Sequence, residues 1–262
     1  MHHRYAVAFA LALCGAAPTI GAPAGYLPRG TIDMTAILPP APGKGSYRYE
    51  ADRRIFRETR RLQGTPRWAL ATADAEAGMP AMLRDFSCPI GVALTPQDAP
   101  RTAALIKRLY GDLHDAVTVP KDQYRRQRPF LIDKGPICAS QEELAKSWDY
   151  PSGHTTLGWA VGLILAEAVP DRASAILARA RAYGESRVVC GAHNASAIEA
   201  GRTAGAALVA ALHGSPAFRD DVAAARAELA ALRAAGADQT DAPRCAAERA
   251  LLAPTPYGRT GS

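Results

Sequence analysis

Residues 151–168 read Pro-Ser-Gly-His-Thr-Thr-Leu-Gly-Trp-Ala-Val-Gly-Leu-Ile-Leu-Ala-Glu-Ala, and this stretch decides the fold class. From Thr155 onward it is apolar almost all round, as befits a helix buried in a core. Gly162 and Glu167 interrupt it, and it falls short of the roughly 20 apolar residues needed to cross a bilayer. Working outward, residues 173–184, 195–212 and 218–235 are rich in Ala, Leu and Arg and read as further helices. Upstream, residues 51–63 set charged positions around Ile55, Phe56 and Leu62, and Gly64-Thr65-Pro66 supplies a stop. Residues 66–77 read as the next helix. Thr95 is placed to cap another, entered at Pro96 and running through Ala103, Leu105, Ile106 and Leu109. Alternating β-branched runs do not occur. The expectation is an all-α protein, a single helical-bundle domain with its site between facing helices.

The ends read differently. Arg4, an apolar run over residues 6–17, and Ala22-Pro23-Ala24 fit an export signal over residues 1–24. Leu13 is too bulky before Cys14 for a lipid-anchor site. Residues 25–48, dense in Pro and Gly, read as an extended arm, 49–236 as the helical domain and 237–262 as a loose tail. An exported chain of this kind belongs in the periplasm or outside the cell. Four cysteines then remain, Cys88, Cys138, Cys190 and Cys245. An even number suggests disulfides, with three connectivities open. No cysteine pair has metal-site spacing, which speaks against a metal site, and no cofactor is expected. The formal net charge is +6, one less once Arg4 is removed, but the basic residues are scattered and aromatics are few. Nucleic acid is therefore not an expected partner. A small anionic molecule is, and a homo-oligomer is compatible with the sequence.

Three segments carry chemistry. Lys121 and Arg128 stand seven apart, two helical turns, so that both project from one face of a helix ended by Pro129. In Pro151-Ser152-Gly153-His154, Gly153 lets backbone amides approach an anion at the start of the 155–168 helix. Ser152 adds a hydroxyl donor and His154 a titratable imidazole. Arg187 offers a planar fork for two oxyanion oxygens, and His193 a second imidazole. Singly, these read as a solvated basic helix, a capping turn and a structural histidine. Together they form equipment for gripping a tetrahedral oxyanion and attacking it with histidine.

In that order, Lys-x6-Arg-Pro, Pro-Ser-Gly-His and Ser-Arg-x5-His resemble the type 2 phosphatidic-acid-phosphatase superfamily. The class A nonspecific acid phosphatases of bacteria are nearest. The likeness extends to Asp149-Tyr150, Val188-Val189-Cys190-Gly191, Glu199-Ala200-Gly201-Arg202, Arg67-Trp68 and Asp74-Ala75. The resemblance implies a metal-free phosphomonoesterase working through a phosphohistidine. His193 would be the nucleophile and His154 the general acid. Lys121, Arg128 and Arg187 would hold the phosphoryl oxygens, with Ser152 and the Gly153 amide assisting.

One family feature is missing. The pattern His-x3-Asp places a carboxylate on the far nitrogen of the nucleophilic histidine, and here position 197 is Ala. If residues 193–201 are helical, Glu199 lies about 240° from His193 and is a poor substitute, whereas Ser196 lies about 60° away and could orient the ring without charge. A water or a carboxylate from a distant segment is the other route. The gap implies reduced turnover, with Ala197→Asp expected to restore it. It also keeps open an alternative, a degenerate member that binds phosphate or phosphorylated ligands without efficient catalysis. A vanadate-dependent haloperoxidase and a lipid phosphatase rank lower.

Overall fold

The computed structural model describes residues 25–235, 241–253 and 255–257, so the export signal proposed for residues 1–24 lies outside the described residues. Within them the chain forms eleven α-helices and no strand: α1 (Met34–Ile37), α2 (Tyr47–Thr59), α3 (Pro66–Ala73), α4 (Met79–Ile90), α5 (Pro100–Tyr124), α6 (Gln141–Ala145), α7 (Gly153–Ala168), α8 (Ala173–Val189), α9 (Ala195–Leu212), α10 (Pro216–Ala234) and α11 (Ala242–Leu252). The all-α expectation holds.

Local chemistry explains most starts. Ser46, Thr65, Ser152 and Asp241 each accept a hydrogen bond from a first-turn N–H, and prolines open α3, α5 and α10 where no intrahelical donor is needed. Thr95 caps only a turn, taking the Asp98 N–H at 3.1 Å, so α5 begins at Pro100 and not at Pro96.

The 151–168 stretch forms the core helix. Leu157, Val161, Ile164 and Leu165 of α7 are buried against α5, α8, α9 and α10, together with Leu109, Tyr183, Leu208 and Phe218. Glycines set the spacing. A Cβ at Gly158 would stand 2.2 Å from the Tyr183 ring, and one at Gly162 2.4 Å from the Ala180 Cβ. On the other side, Gly201 and Gly205 of α9 leave room for the Ser152 and Thr156 carbonyls, which an added Cβ would approach to 2.8 and 2.7 Å. These small-residue seams run α8 antiparallel and α9 parallel to α7. The C-terminal end of α8 and the N-terminal ends of α7 and α9 therefore meet at one pole.

Two disulfides join segments distant in the chain. Cys138–Cys190 holds the 132–140 segment to the end of α8, reinforced by a 3.0 Å bond from Cys138 N–H to the Cys190 carbonyl. Cys88–Cys245 ties α11 to α4. The segment expected to be a loose tail is thus in part a docked helix, with Glu248 reaching Arg179 at 3.0 Å.

Candidate active site

Each signature segment ends at this pole. Arg187 sits in the last turn of α8, His193 in the short connection to α9, and Ser152, Gly153 and His154 at the start of α7. Lys121 lies in the last turn of α5. Arg128 does not share its helix: α5 ends at Tyr124, Arg125 takes a left-handed backbone (φ 45°), and Arg128 follows in extended conformation. The expectation of one common helical face is corrected accordingly. The turn sends Arg126 and Arg128 inward on separate errands.

Arg128 is buried and reaches the nucleophile candidate directly. Its Nη1 donates to the Ala192 carbonyl at 2.8 Å and lies 3.1 Å from His193 Nε2, while Nε donates to the Ser147 carbonyl at 2.7 Å. On the far side of the ring, Asp149 Oδ1 is 3.0 Å from Nδ1. A guanidinium can only donate and a carboxylate can only accept. The two partners therefore admit one neutral tautomer, with the proton on Nδ1 and the lone pair on Nε2. Burial, with Arg128, Lys121 and Arg187 nearby, holds the His193 pKa well below the ordinary histidine value, which favours the neutral ring.

Asp149 is fully buried. Oδ1 also accepts the Asn194 backbone N–H at 3.1 Å, Oδ2 accepts the Asn194 side-chain amide at 2.8 Å, and Arg126 Nε lies 3.6 Å from Oδ2. Burial raises its pKa, and Arg126 and Asn194 oppose the rise. Every close partner is a donor, so the surroundings fit the carboxylate and offer nothing to a carboxyl proton.

Ser196 does not orient His193. Its hydroxyl donates to Asp52 Oδ2 at 2.6 Å and accepts from Arg126, while its N–H donates to Asp52 Oδ1 at 2.9 Å. Asp52, brought in by α2, thereby caps α9, and Ser196 is committed to that cap. The helical arithmetic behind the expectation fails too, because α9 begins at Ala195 with Asn194 extended as its N-cap. His193 precedes the helix. Glu199 turns away to pair with Arg48.

Arg187 is the clearest anion receptor. It is 1 % exposed, and its Nε and Nη1 are buried without a hydrogen-bond partner among the described residues. A buried guanidinium left with donors to spare is costly unless an anion completes them. Ser152 caps α7 through the Thr155 N–H at 3.3 Å and accepts the Thr155 hydroxyl at 3.0 Å, which leaves its own proton to give. A Cβ on Gly153 would meet nothing nearer than Val117 Cγ2 at 3.9 Å, so packing does not demand this glycine. Free N–H groups at the α7 start suit an anion.

His154 Nε2 lies 3.0 Å from the Ala75 carbonyl, which fixes that nitrogen as a donor. Burial, then Arg187, keeps its pKa well below the ordinary value. Its support comes from the Asp74-Ala75 and Arg67-Trp68 pairs. Asp74 accepts the Ser186 hydroxyl at 2.5 Å and the Arg179 guanidinium at 2.6 Å, and Arg67 donates to Ser186 at 2.9 Å. This buried lattice fixes α3 against α8, directly behind His154 and Arg187.

Lys121 donates to the Trp148 carbonyl, and dehydration followed by the Arg128 charge pulls its pKa down to about 7. The cradle is thus expected to lose one positive charge as pH rises through about 7. Sulfate keeps a fixed charge over this range, and its inhibition constant is expected to weaken by up to about tenfold per pH unit above about 7. Lys121→Met should flatten that profile; a wild-type constant that is flat with pH contradicts it.

Comparison with known proteins places these residues in a family. A model of the PAP2 superfamily matches residues 105–220. The chain is 43% identical over 189 residues to the acid phosphatase of Zymomonas mobilis, spanning 71% of this chain and 72% of that protein. It is 36% identical over 198 residues to the non-specific acid phosphatase of Salmonella typhimurium, spanning 74% and 79%. The corresponding protein of Providencia stuartii is 37% identical over 191 residues, spanning 72% and 77%.

Proposed function

Because the chain belongs to the PAP2 superfamily, among its bacterial acid phosphatases, we propose that it hydrolyses small phosphomonoesters through a phosphohistidine on His193, in the periplasm or outside the cell. The observation that carries this reading is the ring of His193 held between a pure acceptor and a pure donor. Its lone pair on Nε2 faces Arg128, and the nearby Arg187 keeps Nε and Nη1 without a partner among the described residues.

An entering phosphate dianion takes the N–H groups of Arg187, Arg128 and Lys121, with the Ser152 hydroxyl and the Gly153 amide completing its oxygens. Arg128 is released from Nε2 in the same move. Nε2 then attacks phosphorus in line and the P–O ester bond breaks. The leaving oxygen takes a proton from His154, which the dianion has made easier to charge. The Nδ1 proton stays between ring and Asp149 as the ring becomes cationic. In the second half, water attacks phosphorus, His154 accepts its proton, and the P–N bond breaks to give inorganic phosphate. The depressed His193 pKa favours the neutral ring that this attack requires.

Export is supported by the basic and apolar start of the sequence and by two disulfides. No helix among the described residues is long and apolar enough to cross a membrane, which favours a water-soluble ester over a lipid. The binding-only alternative rested on Ala197, and it loses that support once another carboxylate meets Nδ1.

Among the described residues no cluster of His, Cys, Asp or Glu side chains is arranged to hold a metal ion. Hydrolysis of an aryl phosphate by the mature protein is therefore expected to be unaffected by EDTA. Vanadate, which adopts the trigonal-bipyramidal geometry of the transition state, should inhibit it competitively. Activity lost to EDTA and restored by a divalent ion would overturn the mechanism.

A further inference from the structure

Position 197, where the family pattern wants a carboxylate, holds an alanine that is fully buried in the main apolar cluster. Its carbonyl accepts the Ser152 N–H at 3.0 Å and so belongs to the α7–α9 seam. The carboxylate that meets the ring lies 44 residues earlier in the chain. We propose that Asp149 is the positioning residue for His193: the orienting carboxylate has moved from the start of α9 to the loop before α7, and Ala197 marks the move and not a defect. The inference rests on reading His193 as the nucleophile.

Three features fit Asp149 for the task. It contacts Nδ1, the nitrogen opposite the one that faces the cations, so it can hold the proton there while Nε2 reacts. Its position is fixed, because Asn194 donates to both of its oxygens, once from the backbone and once from the side-chain amide. And its charge remains available. Arg126 pairs closely with Asp52 at 2.7 Å and approaches Asp149 only to 3.6 Å, so the negative charge of Asp149 is left to balance the cation that develops on the ring. The same donors explain why the site has no use for a second carboxylate. An Asp at position 197 would be buried among apolar side chains, and the Nδ1 proton is already taken.

The test uses the full mature enzyme with Asp149→Asn and Ala197→Asp. It reads kcat and KM on an aryl phosphate, and the His193 ring by nitrogen-15 NMR without substrate. In the wild type the ring should show the Nδ1–H tautomer. Asp149→Asn cannot satisfy the surrounding donors with both of its side-chain atoms. It should disturb that tautomer and lower kcat by about 100-fold or more, with KM within a few fold. Ala197→Asp should leave the tautomer unchanged and give no gain in kcat. The proposal is overturned by an Nε2–H tautomer in the wild type, by Asp149→Asn retaining kcat within a few fold, by a kcat loss with an unaltered ring spectrum, or by a tenfold gain from Ala197→Asp. Should Asp149→Asn not fold, the wild-type spectrum and Ala197→Asp still decide. A wild type with the expected tautomer but no phosphatase activity would instead overturn the proposed function, leaving Asp149 as the group that sets the ring's tautomer.

Discussion

His193→Ala is expected to lower kcat on any phosphomonoester by about 10⁴-fold or more while leaving the anion cradle folded. The loss should be of this order because, in the proposed mechanism, the residue supplies the bond-forming atom. His154 is assigned to the leaving group, and all four described cysteines are in disulfides. Sulfate binding separates a missing nucleophile from a collapsed site. Lys121, Arg128 and Arg187 remain, so sulfate should still raise the thermal midpoint of the variant. Retention of kcat within tenfold, in a variant that still binds sulfate, would remove His193 from the reaction.

His154→Ala should produce the second largest effect, and an uneven one. A nitrophenolate leaves without help, whereas an alkoxide must be protonated as it departs. The variant is expected to lose about 100-fold or more on alkyl phosphates beyond its loss on nitrophenyl phosphate. Steady-state comparison of the two ester classes measures this, and equal losses on both would contradict the general-acid role. Burial and the Arg187 charge lower the His154 pKa in the free site, and the negative charge of a bound phosphate acts in the opposite direction.

The parts of the site that could be read in the sequence share a property. Ser152-Gly153-His154, Arg187 and His193 are carried on helix ends, and the helices α7, α8 and α9 are strongly marked by composition. Once those helices pack through Gly158, Gly162, Gly201 and Gly205, the segments have little choice about where to meet. What could not be read lies in contacts between distant segments. Asp149 stood inside the quoted motif, but nothing in the chain marks a partner 44 residues away. Asp52 caps α9 from α2, 144 residues before Ser196, and this long-range bond took Ser196 from the role that local spacing suggested.

The Arg125–Arg128 stretch failed for a different reason. The helix ends at a left-handed arginine, where the usual signal would be glycine, so periodicity carried the helix on to Pro129. Two arginines that looked alike then diverged, Arg126 to Asp52 and Arg128 to His193. At the other extreme, α11 is weakly apolar and was expected to be loose. Its docking depends on Cys88–Cys245 and the Glu248–Arg179 pair, neither of which helical pattern can report. Asp74-Ala75 and Arg67-Trp68 were legible as similarity and silent as to purpose until Ser186 and His154 were seen to rest on them.

The most direct test of the central claim is to trap the phosphoenzyme. Wild-type protein mixed with a fast aryl phosphate, quenched within milliseconds in alkaline denaturant and digested, should carry a single phosphoryl group on the peptide containing His193, stable in base and lost in acid as a phosphoramidate must be. No such adduct should form in His193→Ala. A phosphoryl group found on a serine or carboxylate, or product released in a burst with no covalent intermediate on His193, would contradict the account.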